Sequence, residues 1–230
     1  MGVPDVPLSS LYGEEYWTRF RTVRLHFRSG VAGLSPDGLQ LADGQHARAD
    51  YYVSGLPLDK ISQVASALPR PDMDHSPITG VHLWFDRSVT NLPHATLLER
   101  EIQWMFNKGL GRSIQLVMSA SRPVSKMSKA DVVALCLREL AEFFPGVTEA
   151  KLEDAHVVKE MRATISVTPG LARKRPDNRT ARPNVFVAGD WTWTGWPSTM
   201  EGAVRSGYAA AGEVCRAHGN PASFLLRDIR

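Results

Sequence analysis

The residues best suited to chemistry are concentrated in the segment 184–207. A buried strand is predicted to end there at Gly189-Asp190, a tryptophan-rich loop follows, and a helix is predicted to begin near Met200. The first turn of a helix presents backbone N–H groups and the positive end of the helix dipole, which bind anionic or electron-rich groups. Gly202 has no side chain to block such a group, and the Asp190 carboxylate can accept hydrogen bonds from hydroxyls. The pattern indicates a ligand site where a strand ends and a helix begins.

The same segment also supports a purely structural interpretation. Gly189-Asp190 can be an ordinary turn, and the small residues of the following helix can simply allow close packing against a neighbour. Glu201 could act as a catalytic acid, but a carboxylate in the first helical turn also complements the helix dipole or accepts a backbone hydrogen bond. We favour the structural role for Glu201, and at this point the choice for the whole segment stays open.

Other reaction motifs are missing from the sequence. It contains no phosphate-binding G-x-x-x-x-G-K loop, no H-E-x-x-H zinc motif, no G-x-S-x-G nucleophile motif and no G-x-G-x-x-G dinucleotide turn. The seven histidines are scattered and none pairs at ligand spacing, so we expect no metal site. His82 stands between apolar neighbours, which predicts that it simply lies on one side of a strand. These observations disfavour hydrolases and kinases.

The composition is that of a globular protein. The chain has 230 residues, 43% of them hydrophobic, which is enough for one large domain or two small ones. Lys and Arg total 27 against 24 Asp and Glu, and the resulting net charge of +3 does not indicate a nucleic-acid partner. Cys136 and Cys215 lie far apart without a C-x-x-C pattern, which predicts reduced thiols. Because no apolar run is long enough for a membrane span, we expect a cytoplasmic protein.

The rest of the chain predicts the elements that position this segment. Asp43-Gly44 predicts a hairpin, and branched and aromatic residues in the middle of the chain predict one antiparallel sheet. Ser128 is predicted to cap a helix with an apolar stripe. The predicted strands are 22–27, 30–34, 39–42, one ending at 53, 78–85, 102–106, 113–119, 156–167 and 184–188, and the predicted helices are 8–20, 58–68, 129–144 and 199–217.

A basic loop precedes the chemically dense segment. Residues 171–183 contain five cations and a single acidic residue, Asp177. The simplest interpretation is a solvated loop. The alternative is a contact with anionic lipid headgroups or phosphates, which would place the protein at the inner face of the membrane. The cations are Arg173, Lys174, Arg175, Arg179 and Arg182.

Several motifs together carry a resemblance to a known family. Ala188-Gly189-Asp190, followed by Met-Glu-Gly-Ala-Val at 200–204, resembles the C-terminal flavin signature of the flavin amine oxidase and phytoene desaturase superfamily. The runs 194–197 and 199–207 resemble more closely the squalene-associated FAD-dependent desaturases, whose characterised activity is hydroxysqualene dehydroxylation. The run 80–86 and Gln103-Trp104 are also similar to that branch.

The resemblance implies an FAD cofactor and a polyisoprenoid substrate of the squalene type. The Gly-Asp strand and the following helix would belong to the FAD domain, with a helix start that stabilises the reduced flavin. Four tryptophans could line an apolar substrate cavity, although large aromatics are more often core residues. The residues implied to bind the cofactor are Val31, Gly189, Asp190, Thr199, Met200, Glu201, Gly202 and Ala203, and those implied to line the substrate site are Trp84, Trp104, Trp193 and Trp196. No residue is assigned as catalytic.

The fold implied by the resemblance mixes α+β and α/β. It is the C-terminal part of a two-domain FAD-linked oxidoreductase fold, with a mixed substrate-domain sheet, helices and an incomplete FAD-domain sheet. The implied domains are partial FAD-domain strands and a hairpin in 1–57, a substrate-binding domain with an antiparallel sheet and the helix 129–144 in 58–170, and a return to the FAD domain in 171–230.

The sequence departs from the family pattern in one respect. The family begins with a strand, a G-x-G-x-x-G turn and a helix that holds the pyrophosphate, and this sequence contains no such motif. We therefore expect the chain to be the C-terminal half of an enzyme, to bind FAD weakly by itself and to need an N-terminal FAD-domain polypeptide. Two alternatives stay open: a noncatalytic remnant or binding subunit, and another enzyme of the amine oxidase or phytoene desaturase type. Thr199 stands where monoamine oxidases usually have an aromatic residue, which disfavours an amine substrate.

Overall fold

The computed structural model describes residues 22–65, 68 and 71–226. The predicted helix at 8–20 lies outside these residues. In chain order the strands are β1 (Val31–Ser35), β2 (Gly38–Leu41), β3 (His46–Ala47), β4 (Tyr52–Ser54), β5 (His75–Phe85), β6 (His94–Thr96), β7 (Trp104–Gly109), β8 (Ser113–Ser119), β9 (Leu152–Ile165) and β10 (Val185–Val187). The helices are α1 (Leu58–Val64), α2 (Arg122–Ser125), α3 (Lys129–Phe143), α4 (Gly146–Glu149), α5 (Leu171–Lys174) and α6 (Met200–Ala217).

A five-stranded antiparallel sheet occupies the middle of the chain. Its strand order is β6-β7-β8-β5-β9, and β5 pairs along its length with both β8 and β9. Residues alternate between the two faces: Val81, Leu83 and Phe85 of β5 are fully buried, whereas the residues between them are partly exposed. The buried face packs against α3, which contributes Val132 and Leu140 to the same core. One face of the sheet thus carries the core and the other is accessible.

A second, smaller core surrounds two parallel strands. In β4 and β10 the residues Tyr52, Val53 and Ser54 lie opposite Val185, Phe186 and Val187. All three residues of β10 are buried, as expected for a parallel strand covered on both faces. Leu58 and Ile61 of α1 and the indole of Trp191 belong to this core. Because the two strands run in the same direction, their carboxyl ends lie at the same edge.

A small antiparallel sheet of β1, β2 and β3 precedes this parallel pair. Its β2–β3 connection is the turn that Asp43-Gly44 predicts. The predicted partner strand ending at 53 is divided, because β3 alone completes the hairpin and β4 pairs with β10 instead. Gly44 has a φ of +85°, in the left-handed region that favours glycine, and the Gln45 amide donates a hydrogen bond of 3.0 Å to the Asp43 carboxylate. The turn chemistry in the sequence therefore fixes this hairpin.

Most predicted elements are present with shifted ends. Helix α3 and its Ser128 cap are confirmed, and the Ser128 hydroxyl accepts a hydrogen bond of 3.1 Å from the Asp131 amide. The prediction of a strand at 22–27 is wrong in the part that the structure describes. The predicted helix 58–68 ends at Val64, and the strand predicted at 156–167 is β9, which begins earlier. Strand β6 and helices α2, α4 and α5 are too short to produce a periodic pattern, so the sequence does not predict them.

Candidate functional site

The carboxyl ends of β4 and β10 form the first part of the candidate site. The Ala188 amide donates a hydrogen bond of 2.8 Å to the Ser54 carbonyl, which holds the two strand ends together. The Ser54 Oγ is buried and has no hydrogen-bond partner among the described residues. Ligands of open α/β sheets bind in the crevice outside the carboxyl ends of the strands. Ser54 is not among the site residues predicted from the sequence, where the signal for it is its position just before the 55–57 turn.

Gly189 sets the direction in which the chain leaves β10. Its φ of +152° is one that L side chains rarely adopt, and an added Cβ would lie 2.4 Å from Nε1 of Trp191. The Trp191 indole is buried and donates a hydrogen bond of 3.1 Å to the Leu56 carbonyl. The Gly189 amide donates to Ser206 Oγ on α6 at 2.7 Å. Packing alone therefore requires glycine at this position.

Asp190 and the start of α6 are joined through the loop between them. The Asp190 carboxylate accepts a hydrogen bond from the Ser198 hydroxyl. The Ser198 carbonyl accepts a hydrogen bond of 3.3 Å from Thr164 Oγ1, near the end of β9. Thr199 is the N-cap of α6, and its Oγ1 accepts a hydrogen bond of 3.2 Å from the Gly202 amide. The helix start is thereby fixed both to the end of β10 and to the five-stranded sheet.

The first turn of α6 carries the small or exposed residues predicted to meet a ligand. Met200 is 88% exposed, and Ala203 is half-buried. Gly202 is buried, and a Cβ at this position would lie 2.5 Å from the Pro197 carbonyl oxygen. The absent side chain therefore makes room for the protein's own backbone, whereas the sequence predicts room for a ligand. Glu201 forms an ion pair of 2.8 Å with Arg205, one helical turn further on. This ion pair favours the structural role of Glu201.

Two arginines hold the tryptophan-rich loop in front of α6. Arg175 donates hydrogen bonds to the carbonyls of Trp196 and, at 2.8 Å, Asp190. Its guanidinium lies 5.9 Å from the ring centroid of Trp193, and that of Arg205 lies 4.5 Å from the ring centroid of Trp196. Burial lowers the pKa of the Arg175 guanidinium, and the Asp190 carboxylate opposes this shift. Trp193 and Trp196 are thus placed beside the helix start.

The basic loop 171–183 is largely engaged with the rest of the protein. The Arg175 side chain is partly buried, and three other cations form hydrogen bonds or ion pairs with groups outside the loop. Fewer positive charges are therefore available to contact a lipid surface. In the described ranges no helix has the length and apolar character needed to cross a bilayer. The lipid contact of this loop stays a prediction. The three contacts are Lys174 to the Asp72 carbonyl at 3.2 Å, Arg179 to the Glu213 carboxylate, and Arg182 to the Ser35 carbonyl at 2.9 Å.

Val31 lies on a cavity of 720 Å³ beside β4. The lining is mainly apolar, comes from β1, β2, α1 and β4, and includes Ser54 at the strand end. Gly189, Asp190 and the first turn of α6 are not among its described lining residues. Val31 and Ser54 therefore line the same cavity, whereas Gly189 and Asp190 are linked to α6 and the loop before it. The paired strands β4 and β10 connect these two groups.

Trp84 and Trp104 share the accessible face of the five-stranded sheet. They are 37% and 43% exposed. Trp84 stacks on His82 with 5.9 Å between ring centroids, and Trp104 stacks on Phe106 with 6.2 Å between ring centroids. Two of the four predicted substrate-lining tryptophans therefore lie on the sheet, and the other two lie at the helix start.

The accessible face connects the helix start to these sheet tryptophans. Thr164, which bonds to the loop before α6, pairs with Ser76 of β5. The even-numbered residues of β5 from Ser76 to Trp84 lie on this side, because the odd-numbered residues from position 77 onward are buried. We call these residues and their cross-strand neighbours the exposed sheet face. At about 3.3 Å per residue, the face extends for roughly 26 Å along β5.

Comparison with protein families identifies the family of the chain. The model of the family of flavin containing amine oxidoreductases matches residues 13–215. The chain belongs to this family. Its fold is similar to that of a solved structure, cyclohexylamine oxidase from Brevibacterium oxydans, with a TM-score of 0.59, 16% identity, and coverage of 92% of this chain and 51% of that one. The mixed helix and sheet architecture expected for the family is therefore confirmed.

Two curated relatives of the chain are named for reactions of phytoene and of hydroxysqualene. The 15-cis-phytoene desaturase of Synechococcus elongatus is 28% identical over 205 residues, which cover 80% of this chain and 43% of the relative. The hydroxysqualene dehydroxylase of Sinorhizobium fredii is 32% identical over 134 residues, which cover 58% of this chain and 31% of the relative. The match thus covers less than half the length of either relative.

The site residues of the chain fit a flavin cofactor. Two buried polar atoms, Ser54 Oγ and Arg175 Nε, have no hydrogen-bond partner among the described residues. Both can donate to the acceptor atoms that a flavin and its phosphates present. One lies at the end of β4 and the other beside the start of α6, the two parts of the candidate site.

Proposed function

We propose that the chain is the flavin-facing and substrate-facing part of an FAD-dependent oxidoreductase that acts on a squalene-type polyisoprenoid, as a hydroxysqualene dehydroxylase does. The observation that carries the proposal is the hydrogen bond between Thr164 and Ser198, which joins the capped start of α6 to the exposed sheet face. A helix start suited to an electron-rich ring and an aromatic face suited to a hydrocarbon are thus directly connected. The match to the Sinorhizobium fredii enzyme supports the choice of substrate.

Each part of the site has a separate task in this proposal. Reduced FAD, when bound, would supply the hydride that replaces a hydroxyl group on the substrate; the hydroxyl group would leave as water with one proton, and the flavin would end oxidised. The first-turn amides and the dipole of α6 stabilise negative charge on a ring that faces them. Arg175 and Arg205 hold the tryptophan-rich loop, which shields that side from water. The residues that would hold FAD are Val31, Ser54, Gly189, Asp190, Thr199, Met200, Glu201, Gly202 and Ala203.

A second candidate function is the desaturation of a carotenoid-type hydrocarbon. The match to the Synechococcus elongatus phytoene desaturase favours it, because that match extends over 205 residues against 134 for the hydroxysqualene dehydroxylase. The two candidates share the flavin site and differ in the substrate, which carries a hydroxyl group in one case and none in the other. Substrate preference therefore separates them.

We further propose that an N-terminal FAD-domain polypeptide completes the site at β4. The Tyr52 amide donates to the Asn184 carbonyl at 2.9 Å, and Ser54 is likewise bonded toward β10. The backbone groups of Val53 point the other way, to an edge of β4 that no described strand pairs with. Such an edge is a template for a further strand. A strand added there would bring a following G-x-G-x-x-G turn to the crevice beside Ser54.

Product analysis tests the proposed reaction. The 230-residue chain is co-expressed with the dinucleotide-binding unit of the Sinorhizobium fredii relative, loaded with FAD, reduced and given hydroxysqualene. We expect squalene to form, as detected by mass spectrometry. Gly202→Val should lower the rate by about a hundredfold because its side chain displaces the start of α6 from the Pro197 carbonyl. Gly207→Ala, on the same helix with open space around it, should retain the wild-type rate.

The other outcomes of this experiment each decide between hypotheses. Phytoene is given to the complex with oxidised FAD, because desaturation would transfer a hydride from the substrate to the flavin. Conversion of phytoene there, without conversion of hydroxysqualene by the complex with reduced FAD, would establish the second candidate function. An FAD-loaded complex that converts neither compound contradicts the enzyme proposal and favours a noncatalytic binding subunit.

A further inference from the structure

We propose that His82 is a specificity-determining residue that recognises the hydroxyl group of the substrate on the exposed sheet face. The proposal rests on the proposed function, because it assumes that this face binds an isoprenoid. It goes further by naming the polar group that selects an alcohol over a hydrocarbon of the same skeleton. The sequence predicts only that His82 lies on one side of a strand. The strand register shows which residues lie beside it, and these neighbours suggest its function.

The register places His82 in a polar row that crosses the sheet. His82 of β5 lies opposite Gln115 of β8 on one side and His156 of β9 on the other. Gln115 in turn lies opposite Phe106 of β7. Residues directly opposite on one face have Cβ atoms about 5 Å apart, so these side chains are neighbours. Hydrogen-bonding groups thus occupy the middle of a face that carries Ile78 and Trp84 on β5, with the carboxylates of Asp154 and Glu160 beside them on the edge strand β9.

The adjacent row is apolar and contains a gap. Gly80 lies between Val117 of β8 and Val158 of β9, and Trp104 lies opposite Val117. A Cβ added to Gly80 would meet its nearest neighbour, the Leu116 carbonyl oxygen, at 3.9 Å, so the space above the glycine is open. A hydrocarbon chain can therefore lie over Gly80 between the valines, with Trp104 at the side. Its polar substituent would then reach the next row.

His82 is the best-placed member of the polar row. It is half-buried in the central region of the sheet and stacks on Trp84, whereas His156 is exposed near the edge on β9. A neutral imidazole has both a donor and an acceptor nitrogen, which matches a hydroxyl group in either direction. A site built to hydrogen-bond a hydroxyl group rejects the analogue without one, because its own polar groups then lose their partner. The geometry therefore predicts a preference for the hydroxylated isoprenoid.

Ligand binding to the purified 230-residue chain tests this assignment without FAD. Hydroxysqualene and squalene are titrated into the wild-type protein, and tryptophan fluorescence gives both dissociation constants. We expect tighter binding of hydroxysqualene by about fivefold to tenfold, the value of one hydrogen bond. His82→Leu should abolish this preference by weakening hydroxysqualene binding alone, and His82→Gln, which keeps a donor and an acceptor, should restore most of it. His46→Leu, an exposed histidine on β3, is the matched control and should change neither constant.

The outcomes separate this inference from the proposed function. If both ligands bind with equal dissociation constants and His82→Leu changes neither constant, the assignment of His82 is wrong. The proposal that the exposed sheet face binds an isoprenoid is then still supported. If neither ligand binds, the proposed substrate class and the assignment fall together. If His82→Leu weakens both ligands equally while circular dichroism shows a native fold, His82 only shapes the face, and the assignment is again wrong.

Discussion

Arg175 connects both ends of the tryptophan-rich loop through a single side chain. Its hydrogen bonds to the Asp190 and Trp196 carbonyls need two N–H groups in one plane, which guanidinium provides and ammonium does not. We expect Arg175→Ala to lower the free energy of unfolding by about 2 kcal/mol, since it leaves two carbonyls without a donor. Arg175→Lys should recover only part of this loss. Urea unfolding followed by tryptophan fluorescence measures both values.

The neighbouring Arg173 supplies the control for this experiment. Arg173 belongs to the same basic loop and is exposed, so Arg173→Ala should change stability by less than about 0.5 kcal/mol. An equal loss in the two alanine variants would show that the net charge of the loop, and not the bonds of Arg175, controls stability.

Cys136 and Cys215 should differ in reactivity because one is buried and the other is partly exposed. Desolvation, with a smaller contribution from Glu139, raises the pKa of the Cys136 thiol from 9.0 to about 12. Only the thiolate reacts, so at about pH 8 the folded protein should titrate one thiol with a disulfide reagent, and the urea-unfolded protein two. The Cys215→Ser variant should titrate none until it unfolds. Rapid reaction of that folded variant would contradict the burial of Cys136.

Among the secondary-structure elements, α6 contains three glycines, of which Gly202 and Gly207 lie in opposite environments. Alanine raises intrinsic helix propensity by about 1 kcal/mol at either position. At Gly202 the added methyl group would lie 2.5 Å from the Pro197 carbonyl oxygen, whereas at Gly207 nothing lies within 4 Å. We therefore expect Gly202→Ala to destabilise the protein by about 1–2 kcal/mol and Gly207→Ala to stabilise it by up to about 1 kcal/mol. Thermal unfolding of both variants gives the comparison, and equal shifts would show that the helix start is not tightly packed.

Secondary-structure elements can be predicted from the sequence where the residues within the element itself specify them. The Ser128 cap and the apolar spacing after it predict α3 almost to its last residue, because the capping bond and the buried stripe both form within the helix. Asp43-Gly44 predicts its hairpin for the same reason. The β4–β10 pair is different, since it joins positions 52–54 to 185–187 and neither short strand carries information about its partner. Strand pairing at such separation depends on the tertiary core.

The residues of the candidate site also differ in whether local sequence predicts them. Gly189-Asp190 and the start of α6 are predicted because strand end, loop and helix follow one another in the sequence. Ser54 and Arg175 reach the site through tertiary contacts, and their polar atoms stand out only once burial is known. The row of Gln115, His82 and His156 depends on the register of three strands, which the alternation of each strand alone does not fix.

For the whole molecule, we propose that the open edge of β4 determines how FAD is bound. In the proposed assembly the pyrophosphate contacts come from a strand–turn–helix unit, which the sequence of this chain does not contain. The described site residues supply the other side: Ser54, the end of β10 and the start of α6. We therefore expect the purified chain to show no stoichiometric flavin absorbance. The co-expressed dinucleotide-binding unit should restore it.

Val53 allows the role of this edge to be tested without disturbing the rest of the molecule. Its amide points away from β10, so Val53→Pro removes a hydrogen-bond donor from the open edge while the bonds of Tyr52 and Ser54 to β10 remain. We expect this variant to fold, to have a normal unfolding temperature within a few degrees, and to lose FAD uptake with the co-expressed unit. Val53→Thr keeps the amide and should bind FAD like the wild type. Equal flavin absorbance in the two variants would show that the unit does not pair with β4, and FAD bound stoichiometrically by the chain alone would show that it needs no such unit.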